Sequence, residues 1–258
     1  MADASTYRRL RRFNAAMAVL HFLQGALMVY LSTTLEWTIT VTSLDFQVDA
    51  QRLEPVLEPW ATVQLSYLVA AFLFISALAH LLIATVLYDS YVEYLKRGMN
   101  PYRWYEYAVS ASVMIVVIAM LAGVWDLGTL LALFSLVAVM NLMGLMMELH
   151  NQTTDETDWT AYIIGSFAGL IPWVVVAITI VSTVLGSDGG GPPDFVLAIY
   201  VSLFVFFNLF AINMVLQYRE TWKWEDYLFG EKTYIVLSLV AKSLLAWQVF
   251  FGTLNAPV

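Results

Sequence analysis

The chain contains no cysteine, which excludes disulfides, thiol nucleophiles and cysteine metal sites. It has three histidines, none in the HExxH spacing of a metal hydrolase. Charge is scarce: 12% of the 258 residues are Asp, Glu, Lys or Arg, against about 25% in a soluble domain. The net charge of −8 argues against nucleic acid as a partner. The sequence shows no internal repeat and no low-complexity tract. What is there is apolar. A hydrophobic share of 60% and a mean hydropathy of +0.73 describe a polytopic membrane protein.

Seven runs are long enough to cross a bilayer: 13–32, 60–87, 104–124, 129–147, 159–185, 194–217 and 233–252. The expected fold is all-α, a seven-transmembrane helix bundle forming one domain over 1–258. The N-terminus lacks a cleavable-signal pattern, so the first run reads as a signal anchor. Basic residues set the expected orientation. Arg8, Arg9, Arg11 and Arg12 precede span one, Lys96, Arg97 and Arg103 follow span two, and Arg219, Lys223 and Lys232 follow span six. The opposite side carries only Arg52. This places the N-terminus in the cytoplasm and the C-terminus outside, in a multi-pass protein of the cell membrane.

The expected extracellular loop 33–59 alternates partially from Trp37 to Val48, which predicts two short strands in a β-hairpin. Glu36, Asp45, Asp49, Glu54 and Glu58 make it acidic, as a solvated cap or a partner surface. Residues 186–193 (GSDGGGPP) read as a flexible turn. The segment 151–158 is polar without basic residues. The segment 221–232 (TWKWEDYLFGEK) combines interfacial aromatic anchors with both charge signs. A docking site for a cytosolic protein is its alternative role.

Lys242 is the only lysine or arginine inside a predicted span. At mid-span it lies ~15 Å deep, where a free ammonium costs several kcal/mol and cannot easily reach an interface. The other ionisable residues within the spans are His21, His80 and Glu106. Asp126 and Glu148 fall at span ends, where water is expected to reach them, and His150 looks solvated. The predicted depths put His21, His80, Glu106 and Ser238 in the cytoplasmic half, below Lys242. Ser238 is one turn away on the same helix face. Each histidine can equally be a packing residue, Glu106 an interfacial partner of Arg103, and Lys242 half of a structural ion pair. Buried pairs stabilise poorly, which favours function at Lys242. A buried amine is nucleophilic toward an aldehyde. The resulting protonated imine needs a counterion, for which Glu106 is the strong candidate.

Seven spans with such a lysine midway along the last look like a retinal-binding rhodopsin. Arg103-Trp-Tyr-Glu106 resembles the Arg-x-x-carboxylate arrangement on the third helix of microbial rhodopsins. An N-terminus inside, RWYEYAVSASVM in span three, SLVAKSLLAWQVF in span seven and a long first external loop together resemble a heliorhodopsin over nearly the whole chain. The resemblance implies all-trans retinal on Lys242, Glu106 as Schiff-base counterion and Ser238 beside the Schiff base. It implies that His21 and His80 line a cytoplasmic polar cavity with waters. It also implies a homodimer to which the first external loop contributes, and a slow photocycle associated with signalling rather than enzymatic turnover.

The polyene needs an apolar, aromatic slot, for which spans four to six offer Met140, Gly144, Gly169, Trp173 and Phe206. Gly165 and Gly169 form a small-xxx-small pair that favours close helix packing. Pro172 is expected to kink span five. Pumps usually carry an aspartate one turn before the lysine and a second carboxylate eleven residues after the counterion; here these are Ser238 and Val117. A light sensor without net pumping, signalling to a cytosolic partner, is therefore preferred. A light-gated or light-driven ion transporter on the same scaffold is the alternative. A retinal-free membrane protein is the third reading, and membrane lipid is a partner in all three.

Overall fold

The computed structural model describes residues 4–32, 36–186 and 191–254. The start of the 33–59 loop and half of the 186–193 turn lie outside the described residues, as does the C-terminus at 258. Among the described residues, seven helices are long and apolar enough to cross a membrane: α1 (Ala4–Tyr30), α2 (Leu65–Ala84), α4 (Pro101–Leu121), α5 (Leu127–His150), α6 (Thr160–Gly186), α7 (Asp194–Tyr218) and α8 (Tyr227–Leu254). They form a bundle in which α2 packs on α1 and α4, α5 lies between α4 and α6, and α8 meets α7, α1 and α2. The main apolar core includes Phe72, Leu73, Ile115, Met120, Val176, Leu203 and Leu245.

Local chemistry sets several boundaries. Asn100 caps α4 by accepting from the Arg103 N–H at 3.3 Å, with Pro101 at the first helical position. Gly123, at φ +102°, makes the turn out of α4, a conformation that glycine adopts without a Cβ clash. Two elements were not expected. Residues Tyr88–Lys96 form the short amphipathic helix α3, which buries Tyr91 and Leu95. Residues Trp222–Glu225 form a 3-10 turn. The predicted second span was also too long. Its first residues belong to a strand, because apolar content alone does not separate a strand from a helix.

The hairpin is longer than two short strands. Strand β1 (Glu36–Gln47) pairs antiparallel with β2 (Arg52–Gln64), with a bulge at Ile39/Thr40. The ribbon extends ~40 Å at 3.3–3.4 Å per residue. Its register is amphipathic. Thr42, Leu44 and Phe46 stand opposite Leu57, Pro55 and Leu53, and opposed residues share a face. Leu44, Phe46, Leu53 and Leu57 are all exposed. The other face carries Asp45, Glu54, Arg52 and Glu58.

An isolated two-stranded ribbon is marginal in water; this one is tied down at its base. The Thr40 N–H donates to Trp125 O at 2.9 Å. The rings of Trp37 and Trp125 lie 6.3 Å apart. Asp126 caps α5, accepting from the Thr129 N–H at 2.8 Å, and also accepts from the Thr42 hydroxyl at 3.3 Å. These bonds, led by the Thr129 N–H, hold the Asp126 carboxyl below the usual carboxylate range. Its contribution is complete above the ordinary carboxylate value and is lost as pH falls through the lower folded one. Asp126→Ala should cost about 1 kcal/mol and release the ribbon base. Amide exchange at Thr40 and Thr42 should rise in the variant, and in the unaltered protein at acid pH. Unchanged protection in the variant would contradict the role of Asp126.

Candidate functional site

Lys242 is 2% exposed. Its Nζ donates to Glu106 Oε1 at 2.9 Å and to Ser238 Oγ at 2.8 Å. The spacing of four between Ser238 and Lys242 places both on one face of α8, and α4 brings Glu106 across to them. The same Glu106 oxygen lies 2.6 Å from Ser76 Oγ, which is also 3.0 Å from the backbone oxygen of Phe72. A hydroxyl has one proton, so Ser76 donates to only one of the two at a time. The Tyr107 ring lies 5.0 Å from Lys242 Nζ, in cation–π range. Its hydroxyl is fixed by donating to Tyr234 O at 3.0 Å.

His21 and His80 are stacked, with centroids 5.7 Å apart and planes within 6°. His80 Nδ1 is 2.7 Å from Asn14 Oδ1. Neither ring nitrogen of His21 has a hydrogen-bond partner among the described residues. Asn14, His21, Ser76 and His80 are all buried where α1 faces α2. Asn14 and Ser76 were missed from sequence, although the steps 14 to 21 and 76 to 80 repeat the period of a helix face.

A cavity of about 40 Å³ borders Lys242, lined by Tyr107, Ala111, Met114, Ser238, Met140, Asn141, Phe207 and Phe210 among others. The last four of these also border a larger cavity of about 420 Å³ between α4, α5, α6 and α7. Met140, Gly144, Gly169 and Trp173 line the larger one, as the sequence suggested. Phe206 does not. Phe204, Phe207 and Phe210 take its place, because residues spaced by three share a helix face and Phe206 falls off it. Gly165 and Gly169 both pack closely and line this cavity. A Cβ on Gly169 would lie 2.1 Å from Met140 Sδ, and one on Gly165 2.8 Å from Met143 Cβ. Helix α6 continues through Pro172.

Four sequence expectations are corrected. Arg103 lies inside α4 and is 5% exposed, so Lys242 is not the only basic group within a span. Arg103 does not pair with Glu106. It makes ion pairs with Glu148 through Nη2 and with Glu231 through Nη1, under the Tyr234 ring at 4.0 Å. Glu148 is accordingly buried, not watered. Glu231, assigned to a loop from its charged neighbours, is buried in the first turns of α8. His150 is half exposed and pairs with Asp158 at 3.1 Å.

The arrangement suits retinal. A sealed primary amine with a carboxylate partner can carry and neutralise an imine cation. The larger cavity falls within the ~300–1,000 Å³ of ligand pockets, and its wall is mostly aromatic and apolar. Lys242 would hold the group covalently, Glu106 and Ser238 would face its nitrogen, and Tyr107, Met140, Phe207 and Phe210 would flank it.

A family model described as Heliorhodopsin matches residues 10–254. No curated protein matches the chain.

The Arg103 cluster gives a stability prediction. Arg103→Met leaves two buried carboxylates without a cation, which should cost ~3–5 kcal/mol and lower the thermal midpoint in detergent. Adding Glu148→Gln and Glu231→Gln should recover most of the loss. No recovery would mean that Arg103 stabilises by packing alone.

Proposed function

The chain belongs to the heliorhodopsin family of retinal light-sensing membrane proteins, and on that premise we propose that it is a sensor with all-trans retinal on Lys242 and Glu106 as counterion. The observation that carries this is the sealed Lys242–Glu106 pair beside the aromatic cavity. When bound, retinal supplies absorption of visible light and a photoisomerisation. The protein's own groups then govern one proton. Glu106 and Ser238 hold it at the Lys242 nitrogen, and Tyr107 closes one side against water. The His21/His80/Asn14 group stands on the N-terminal side of the pair, read as cytoplasmic from the basic residues. A proton displaced from the Lys242 nitrogen enters that side and returns from it, so no ion is moved across the membrane. Ser238 and Val117, standing where pumps usually carry carboxylates, support this reading.

Segment 221–232 is the proposed face for a cytosolic partner. Trp222 there is 73% exposed, and Trp224 Nε1 ties the segment to Asn213 Oδ1 of α7 at 2.7 Å. Helix α7 carries Phe207 and Phe210 of the cavity, so movement there reaches this segment. The ribbon's apolar face is the proposed contact with a second copy. Leu44, Phe46, Leu53 and Leu57 form a patch that water alone covers poorly.

Protein made with retinal should be coloured, and Lys242→Ala should be colourless. A coloured Lys242→Ala protein would refute the attachment. Glu106→Gln should absorb at longer wavelength, because a weaker counterion stabilises the ground-state cation less; an unmoved band would assign the counterion elsewhere. Illuminated vesicles should show no sustained pH change or photocurrent. A current lost in Glu106→Gln would favour the transporter reading. Phe46→Asp with Leu57→Asp should turn a dimer into a monomer in light scattering, and a persistent dimer would place the contact elsewhere.

A further inference from the structure

Buried charge is unbalanced beyond the Lys242–Glu106 pair. Arg103 faces two carboxylates, Glu148 and Glu231, all three sealed from solvent. Every hydrogen bond the two carboxylates make within this cluster is one they accept. Glu231 accepts from Arg103, from the Tyr91 hydroxyl at 2.9 Å and from Asn100 Nδ2 at 2.8 Å. Glu148 accepts from Arg103, from the Asn100 N–H at 2.7 Å and from the Tyr227 hydroxyl at 3.3 Å. Donors alone surround both, an arrangement that favours anions. One cation and two anions leave the cluster one negative charge in excess, and a buried unbalanced charge is costly.

A small cavity joins this cluster to the lysine site. It has a volume of about 20 Å³, and its walls include Asn14, His80 and Glu106 as well as Asn100, Arg103 and Glu231. One water needs roughly 10–15 Å³ and two to four polar partners; the volume suffices, and the polar side chains of Asn14, Asn100, Glu106 and Glu231 line it. Glu231 borders this space and Glu148 does not.

We propose that Glu231 stores the proton displaced from the Lys242 nitrogen, a proposal that rests on the light-sensor reading and names its acceptor. One N–H bond breaks at Lys242 and one O–H bond forms at Glu231 Oε1. A water in the 20 Å³ cavity relays the transfer, taking one proton from the Glu106 side and giving one to Glu231. The cluster passes from one excess negative charge to none, the same excess passes to Glu106, which remains an anion held by Ser76 beside the Lys242 nitrogen, and no further reactant is needed. Tyr91 makes room for the new hydrogen. Of the three donors on Glu231, only its hydroxyl can rotate and become an acceptor; Arg103 and the Asn100 amide nitrogen cannot. The other titratable groups lining the route are His80, Tyr102, Arg103 and Tyr107; Glu148, Tyr227 and Tyr234 stand behind it around Arg103.

Infrared spectroscopy of protein carrying 13C-labelled glutamate tests this. In the dark, with or without retinal, Glu231 should give an ionised carboxylate signal, identified by its loss in Glu231→Gln. On illumination of the pigmented protein a carboxylic-acid band should appear and shift with the label. It should vanish in Glu231→Gln, move in Glu231→Asp and persist in Glu148→Gln. Should Glu231→Gln not fold, Glu231→Asp and the dark spectrum of the unaltered protein still decide. Two results would overturn the proposal: a Glu231 already protonated in the dark, or a light-induced acid band that survives Glu231→Gln. An absence of pigment would instead defeat the sensor reading and leave the dark signal of Glu231 to be read on its own.

Discussion

A primary amine buried in the middle of a helix bundle must have its charge answered, and that requirement organises this molecule. Lys242 is answered by Glu106 and Ser238, one from across the bundle and one from its own helix. Glu106 in turn takes Ser76 from α2. Three helices are therefore pinned to one point by hydrogen bonds between groups that cannot reach solvent. In a surrounding of low polarity such bonds are strong, and breaking any one leaves a partner exposed to nothing better. The aromatic cavity beside Lys242 then has one defined polar end.

A second buried cation repeats the logic nearer the N-terminal ends of α1, α4 and α8. Arg103 gathers α5 and α8 through Glu148 and Glu231, and Glu231 in turn accepts from Tyr91 of α3. The guanidinium fork suits this better than an ammonium would, because its planar donors can serve two carboxylates at once. The two charge clusters are separated by the water-sized cavity, so the bundle has a polar thread on one side and an apolar interior on the other. Among the described residues the opposite half has no comparable ionisable group in its core.

Much of this is legible in the sequence. Hydropathy located the seven spans because each is long and nearly free of charge. Lys242, Glu106 and Ser238 stood out for the opposite reason, as polar residues in apolar surroundings. What stayed hidden was pairing at a distance. Arg103 lies 45 residues from Glu148 and 128 from Glu231, and nothing in a linear pattern joins them. Charged neighbours around Glu231 also masked the start of α8, since Glu225, Asp226 and Lys232 lower the local hydropathy as a loop does. The cavity wall was read one residue off at Phe206 because three phenylalanines within four positions do not reveal which face turns inward. The ribbon was foreseen but shortened, since its alternation weakens at the two prolines of β2, Pro55 and Pro59.

Strand β2 ends at Gln64 and helix α2 begins at Leu65, with no linking residue between them. Ribbon and helix are one uninterrupted piece of regular backbone. From Leu65 to Ser76 is about 16 Å of helix, a stiff shaft whose lower part holds the hydroxyl against Glu106. The ribbon and the hydroxyl beside the lysine site therefore belong to one continuous run of strand and helix.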